Sequence, residues 1–321
     1  ACQYSRIQLR ILSPLAVVTP QTAPFSIQLH RHEGSLAQLE AINALSATES
    51  ADWLLPVKAG GTFTASGLLT VALDLLGDDS LRAVYADEMI RAEDGELSAL
   101  LRPDFNLDLL LSMPASMVRN WLYRREIFVA AGGLDPALTD AAELDLLLRL
   151  IDAGGLDGLG HVHEPLLVSP TSRVWSHPSE QQALLRHLHH RSYAQAKIHS
   201  HLPGCYRIEY GHAHTPGVSI IVPTKNQLGM LQRCVETLLE KTAYSNYELL
   251  IVDNGSTDAD ACQWLDGIEA MDSPQLRVLR YPHPFNYAAM NNLAAQHARG
   301  EYLVLLNNDL SLIHISEPTR Q

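Results

Sequence analysis

The sequence predicts an α/β protein, with mainly parallel sheets flanked by helices and two incomplete copies of one unit in tandem. Three observations carry this reading. From Val218 to Leu306, apolar runs rich in β-branched residues alternate with segments of helical apolar spacing. Polar clusters stand where three of those runs end. A helix-then-strand pattern also recurs. AINALSATESADWLLPVKAG around Asn43 matches AMNNLAAQHARGEYLVLLNND around Asn291, an offset of 291 − 43 = 248.

The second copy reads element by element. VSIIVPT (218–224) is a buried strand ended by Pro223. Gln227 to Lys241 places Leu228, Leu231, Val235, Leu238 and Leu239 on one helical face. YELLIVDNGSTD holds a strand over Leu249–Val252 and then a turn rich in Asn, Gly and Ser. A helix (258–270), a strand (276–281), a helix (288–298) and a strand (302–306) follow. Strand-helix alternation of this kind implies parallel pairing.

The first copy covers roughly Phe25 to Val168 and begins at a point equivalent to Leu276. It continues further than the second, through VYADEM, RPDFNLDLLLS, WLYRREIF, GGLD and AELDLLLRL. The expected domains are therefore 1–168, truncated at its N-terminus and lacking a metal motif, and 216–309, the N-terminal nucleotide-binding half of a second domain. Residues 169–215 are His-rich, carry a helix near Glu180 to His199, and are read as a linker. Residues 310–321 are set apart, because LSLIHISEPTR matches the translation of a sequencing-library adapter. On that reading the natural sequence stops near Asp309. The chain also begins with Ala1 rather than Met, so its natural start is expected upstream.

Composition narrows the function. With 46% hydrophobic residues, 321 residues can build real cores. The net charge of −13 argues against a nucleic-acid partner, since phosphate backbones are bound by clustered Lys and Arg. The four cysteines form no CxxC pair, so reduced thiols in a cytoplasmic protein are expected. No apolar run approaches a membrane span, and no signal peptide is visible. GLDGLG (155–160) lacks the spacing of a dinucleotide fingerprint, which counts against a dehydrogenase.

Ligands of an open parallel sheet bind at the carboxyl ends of its strands. Here those ends are Pro223-Thr224-Lys225-Asn226, Asp253-Asn254-Gly255-Ser256 and Asn307-Asn308-Asp309. A carboxylate at such an end can accept hydrogen bonds from a base or ribose. A terminal Asp can hold a hard divalent cation that bridges phosphates. Taken singly, Asp253 and Ser256 read equally well as turn residues.

VSIIVPTKNQ, YELLIVDNGSTD, FNYAAMNN and GEYLVLLNND together resemble the nucleotide-binding half of family 2 glycosyltransferases, particularly the rhamnosyltransferase-like enzymes of bacterial O-antigen and surface polysaccharides. The resemblance implies a GT-A fold, a nucleotide-sugar donor, Mg or Mn, and inversion at the anomeric carbon. It assigns Pro223, Thr224 and Asn226 to the nucleotide pocket and Asp253 to the base, with Gly255, Ser256 and Asn291 completing the set. Asn307-Asn308-Asp309 stands at the family's DxD motif, with Asn307 a neutral ligand at best, so Asp309 carries the metal. AELDLLLR resembles the helix that supplies the general base. Glu143 stands where the family usually has Asp, and Asp145 follows.

The repeat adds a negative. Lys58-Ala59-Gly60 aligns with Asn307-Asn308-Asp309, and Lys and Gly cannot replace oxygen ligands. The first copy is therefore expected to bind acceptor glycan or to act as a scaffold. His187, His189, His190, His199, His201, His212 and His214 are read as solvated, and His161 and His163 as structural. The implied partners are a nucleotide sugar and a glycan or lipid-linked glycan acceptor, at the inner face of the cytoplasmic membrane or with peripheral attachment to it. Because the second domain's base is expected beyond Asp309, this chain alone is expected to transfer little or no sugar. A non-catalytic sugar-nucleotide- or glycan-binding scaffold is the rival reading.

Overall fold

A computed structural model describes residues 7–15, 17, 25–171, 178–211 and 214–310. The chain forms two compact units, 1–212 and 213–321.

The first unit contains strands β1 (Gln8–Ser13), β2 (Ser26–Arg31), β3 (Trp53–Leu54), β4 (Thr62–Phe63), β5 (Ala83–Arg91), β6 (Leu97–Leu100), β7 (Leu122–Arg124), β8 (Leu159–Pro170), β9 (Lys197–Leu202) and β10 (Cys205–Glu209). Its helices are α1 (Gly34–Thr48), α2 (Gly67–Gly77), α3 (Leu107–Ser112), α4 (Pro114–Met117), α5 (Arg125–Ala130), α6 (Ala142–Gly154) and α7 (Pro178–His190). The second unit contains β11 (Val218–Thr224), α8 (Leu228–Lys241), β12 (Tyr247–Asp253), α9 (Ala259–Ala270), β13 (Leu276–Arg280), α10 (Tyr287–His297) and β14 (Tyr302–Leu305).

In the second unit every expected element is present, and each bound lies within a few residues of its expected position. The four strands pair in the order β13-β12-β11-β14, all parallel. The middles of the two central strands, Ile220–Val222 and Leu249–Val252, are continuously apolar because both faces are covered. Ile220, Val222, Leu249 and Ile251 pack with Leu231 and Val235 of α8 and Leu265 of α9. Ile221, Leu250 and Val252 point the other way, onto Met290 and Ala294 of α10. Buried Glu248 accepts from the Ser219 hydroxyl (2.7 Å), from Arg277 (2.9 Å) and from the Arg299 N–H (2.6 Å), which seats the start of β14. β14 itself is an edge strand with Tyr302, Leu303, Val304 and Leu305 exposed.

The first unit differs from expectation in three respects. Its main sheet, ordered β3-β7-β5-β8-β4 with β6 beside β5, is mixed rather than mainly parallel. Only β5 and β8 run parallel within it. The chain re-enters between β3 and β5 through the short strand β7, which is antiparallel to both. The unit also starts one strand earlier than Phe25, since β1 pairs in parallel with β2 from Gln8.

The third difference corrects the linker. Residues 178–209 form α7 and a β9–β10 hairpin that belong to the first unit. Ala183 and Leu184 of α7 and Tyr206 of the hairpin join the buried cluster around Tyr85, Trp121, Tyr123, Phe128 and α6. Tyr206 donates to Glu180 at 2.5 Å. The His-rich composition hid an apolar stripe that needs a partner. His187, expected to be solvated, is buried with its Nδ1 2.7 Å from Asp152. Burial pushes its pKa down, against the opposing charge of Asp152. His189, His190, His201 and His214 are exposed, and His212 lies outside the described residues.

Candidate functional site

Strand order reverses once in the second unit. The chain steps outward from β11 to β12 to β13, then crosses back to place β14 on the other side of β11. Ligands of open parallel sheets bind outside the carboxyl ends of the strands at such a switch point, here between β11 and β14.

Two sets of predicted residues meet there. At the end of β12, Asp253 is buried, and its Oδ1 accepts from the Ser256 N–H (3.0 Å) and hydroxyl (2.5 Å). Its Oδ2 accepts from Arg280 at 3.2 Å. A carboxylate has about four lone-pair sites, so about one is left for a ligand. Ser256 Oγ also accepts from the Asn226 N–H at 2.7 Å. Asn226 sits in the left-handed region at φ 55°, and its Oδ1 accepts from the Thr257 and Asp258 N–H groups at 2.8 and 3.0 Å. Asn226, Asp253 and Ser256 thus form one clamp between the β11 and β12 loops. Gly255 lies within it at φ +66°, and a Cβ there would meet nothing within 4 Å. The turn leaves open space beside its backbone.

The second set lies between β11 and β14. Thr224 is buried, follows Pro223, and accepts from Asn308 Nδ2 at 3.1 Å. Asn307 and Asp309 are exposed beside it. Among the described residues, Asp309 belongs to no group of three or more His, Cys, Asp or Glu close enough to share a metal. One exposed carboxylate at a switch point still suits Mg or Mn, which bind through one or two carboxylates plus substrate phosphates.

Asn291 stands apart from both sets. It is buried in α10, donates to the Tyr287 carbonyl of its own helix (2.8 Å), and leaves Oδ1 without a partner. Asn43, which aligns with it, uses both amide atoms on the Leu134 backbone: Nδ2 donates to its carbonyl and Oδ1 accepts its N–H, each at 2.8 Å.

In the first unit, Glu143 occupies the first turn of α6, half-buried. Burial pushes its carboxyl up to about 7, opposed by the charges of Lys58 and Arg119. The structure thus brings Glu143 near Lys58, the residue aligned with the metal motif. Asp145, in the same first turn, is buried and held by Arg149 (2.7 Å) and Arg186 (2.9 Å), a packing role.

Sequence reasoning passed over three contributors. Arg280 reaches Asp253 from β13 and also meets Asp266 (2.6 Å) and Glu269 (3.0 Å). Asn254 is buried, and its Nδ2 donates to the Tyr281 and His283 carbonyls (3.1 and 2.7 Å) while Oδ1 has no partner. Asn308 holds Thr224. Only Asn254 and Asn308 lay in the motifs already singled out, and nothing local marks Arg280.

Polar strand ends at a switch point of a parallel sheet define a nucleotide-binding class of α/β domain. Residues 219–314 match the model of Glycosyl transferase family 2, and this segment belongs to that family. Over 296 residues the chain is 36% identical to the O-antigen biosynthesis protein RfbC of Myxococcus xanthus, a span covering 88% of this chain and 22% of that protein. It is 32% identical over 249 residues to the uncharacterized protein y4gI of Sinorhizobium fredii, covering 72% and 27%. The chain spans about a quarter of the length of these curated relatives. The Pasteurella multocida chondroitin synthase is 33% identical over 115 residues, covering 34% of this chain and 11% of that protein. Among solved structures, the mannosyltransferase PcManGT of Pyrobaculum calidifontis, in complex with GDP-Man and Mn2+, is similar with a TM-score of 0.27 and 26% identity. That likeness covers 30% of this chain and 28% of that one. The chain carries a glycosyltransferase domain whose relatives include proteins of polysaccharide biosynthesis. No described helix is long and apolar enough to cross a membrane.

Proposed function

We propose that the second unit binds the nucleoside-diphosphate part of a sugar donor, and that the protein transfers the sugar, with inversion, to a glycan hydroxyl in bacterial polysaccharide assembly. The observation that carries this reading is the pairing of the Asn226–Asp253–Ser256 clamp with Thr224–Asn308 across the one reversal of strand order. The clamp shapes the base and ribose pocket. The unpartnered Oδ1 of buried Asn254 is a further acceptor at this end of the sheet. Asp309 would hold Mg or Mn, with Asn307 a weaker neutral donor; bound there, the cation would offset the charge developing on the departing diphosphate.

Asn291 is better read as a backbone clamp, by the behaviour of Asn43, than as a sugar ligand. Glu143 has the basicity of a general base, since a carboxyl near 7 can take a hydroxyl proton at neutral pH. It lies in the first unit, and among the described residues the second unit holds no helix like α6. The 321-residue chain on its own is therefore expected to bind donor but transfer little or no sugar. For the first unit, Lys58 and Arg119 near Glu143 favour a glycan-binding scaffold with no cation at the position that aligns with Asp309.

Calorimetric titration with several nucleoside-diphosphate sugars, with and without Mn2+, tests the proposal. Mn-dependent binding that weakens in Asp309→Ala supports it. Nucleotide binding indifferent to both sugar and metal would make this a general nucleotide-binding domain instead. Substantial transfer by this chain would overturn the expectation that it transfers little or no sugar.

A further inference from the structure

We propose that Asp104, His161 and His163 of the first unit form a zinc-type divalent metal site, independent of the donor site in the second unit. One potential ligand atom from each residue lies within 4.8 Å of the other two. Asp104 Oδ1 is 3.3 Å from His161 Nδ1 and 3.5 Å from His163 Nε2. A tetrahedral zinc with bonds near 2.0–2.2 Å separates neighbouring ligand atoms by about 3.3 Å. Two of the three edges match that spacing, and the third, between the two histidine nitrogens, lies within 4.8 Å.

Three features of the fold build this arrangement. His161 and His163 are two apart on β8, so the pleat sends both rings to one side. Their centroids are 4.2 Å apart. β8 also bulges at His163, since Ala86 pairs with Val162 but Asp87 with Pro165. Bulges re-aim side chains in this way and gather near functional sites. Asp104 arrives from the loop between β6 and α3, whose Pro103 carbonyl accepts from the Tyr85 hydroxyl at 2.6 Å.

The surroundings of His161 point to a cation most directly. Its side chain is 3% exposed and stacks on Tyr85 at 4.5 Å. Its Nε2 is 3.0 Å from Asp87 Oδ1, which also accepts the Arg102 N–H at 2.9 Å. The tautomer that satisfies this pair is the one in which an Nε2–H donates to Asp87. In the neutral ring that leaves the Nδ1 lone pair facing a carboxylate oxygen, and a shared cation removes that repulsion. A buried carboxylate behind a histidine is the outer shell that orients metal-bound imidazoles. Two imidazoles and one carboxylate favour zinc-like ions over Mg or Ca. The exposed faces of Asp104 and His163 leave a fourth position for water or a ligand group. Metal here would tie the Asp104 loop to the bulged strand.

The test is zinc binding to the full, tag-free chain, followed by calorimetry, with Co2+ absorption as a geometric probe. One equivalent of zinc and a tetrahedral Co2+ spectrum are expected. Asp104→Ala and His163→Ala change exposed side chains, so the fold should survive, and each should weaken binding at least about tenfold. His201→Ala, at an exposed histidine outside the cluster, should leave it unchanged. Absence of zinc binding, or binding unaffected in both ligand variants, overturns the proposal. The convergence would then be an ion pair of a protonated His161 with Asp87 and Asp104.

Discussion

Glu143 offers the sharpest link between structure and a measurement. Its ordinary pKa is 4.5, and burial raises it to about 7 in the fold. Between those values the unfolded chain has lost the proton while the folded chain keeps it. The folded state binds more protons there, so stability must fall as pH rises. The contribution is complete below about 4.5 and is lost as pH passes through 7. At 1.36 kcal/mol per tenfold change in the ionisation constant, the difference amounts to about 3 kcal/mol. Glu143→Gln keeps the shape but cannot ionise. Urea unfolding of wild type and variant at pH 5 and pH 8, followed through the buried Trp121, isolates the effect. The variant's advantage should grow by about 2.5 kcal/mol between the two conditions, since part of the effect is already present at pH 5. Lys58→Ala should enlarge it, since Lys58 favours the ionised form. If the variant and wild type keep the same pH dependence, the carboxyl is not held in the environment described, and its reading as a poised base falls with it.

Other expectations concern the second unit. Asp253→Ala removes three hydrogen bonds to a buried carboxylate, but Arg280 keeps Asp266 and Glu269. The cost should be about 2–3 kcal/mol, at the low end for a broken buried pair, and visible as a lower Tm for this unit by calorimetry. An unchanged Tm would show that the turn does not depend on the carboxylate. In Gly300→Ala, the new Cβ would stand 2.5 Å from the Ser219 nitrogen and 2.8 Å from the Gly217 carbonyl. Peeling of β14 from β11 should appear as faster amide exchange at Tyr302 and Leu306, whose N–H groups donate to the Gly217 and Ile221 carbonyls at 3.2 and 2.9 Å. Asp309→Ala should reduce Mn-dependent donor binding while leaving Tm unchanged, because the side chain is exposed; an affinity equal to wild type would remove Asp309 from the metal site.

Much of the second unit was legible because its information is local. β-branched runs such as SIIV and LLIV can only be strands buried on two faces, and the intervening helices carry their own apolar stripes. Motif residues at strand ends were legible for the same reason, since a parallel sheet delivers all its carboxyl ends to one edge. Their exact partners were not. Asp253 meets Arg280 through a β-strand register 27 residues away, and no spacing rule announces that pair.

The first unit shows the limit more clearly. WLYRREIF contains three strand residues and then a helix, too short a signal to predict that β7 would insert between β3 and β5 and make the sheet mixed. The helix near residue 190 was legible, but its histidines hid the apolar stripe that packs it into the first unit's core. By itself, then, the sequence determined the α/β class, the strands and helices of residues 218–306 and the polar residues at their ends, because each depends on neighbours in the chain. Only the tertiary structure decided that Lys58 would lie near Glu143, that His187 would be buried against Asp152, and that Asp104 would meet His161 from 57 positions away. Those contacts are set by sheet register and by burial of one element against another, and neither quantity is written in the periodicity of any single segment.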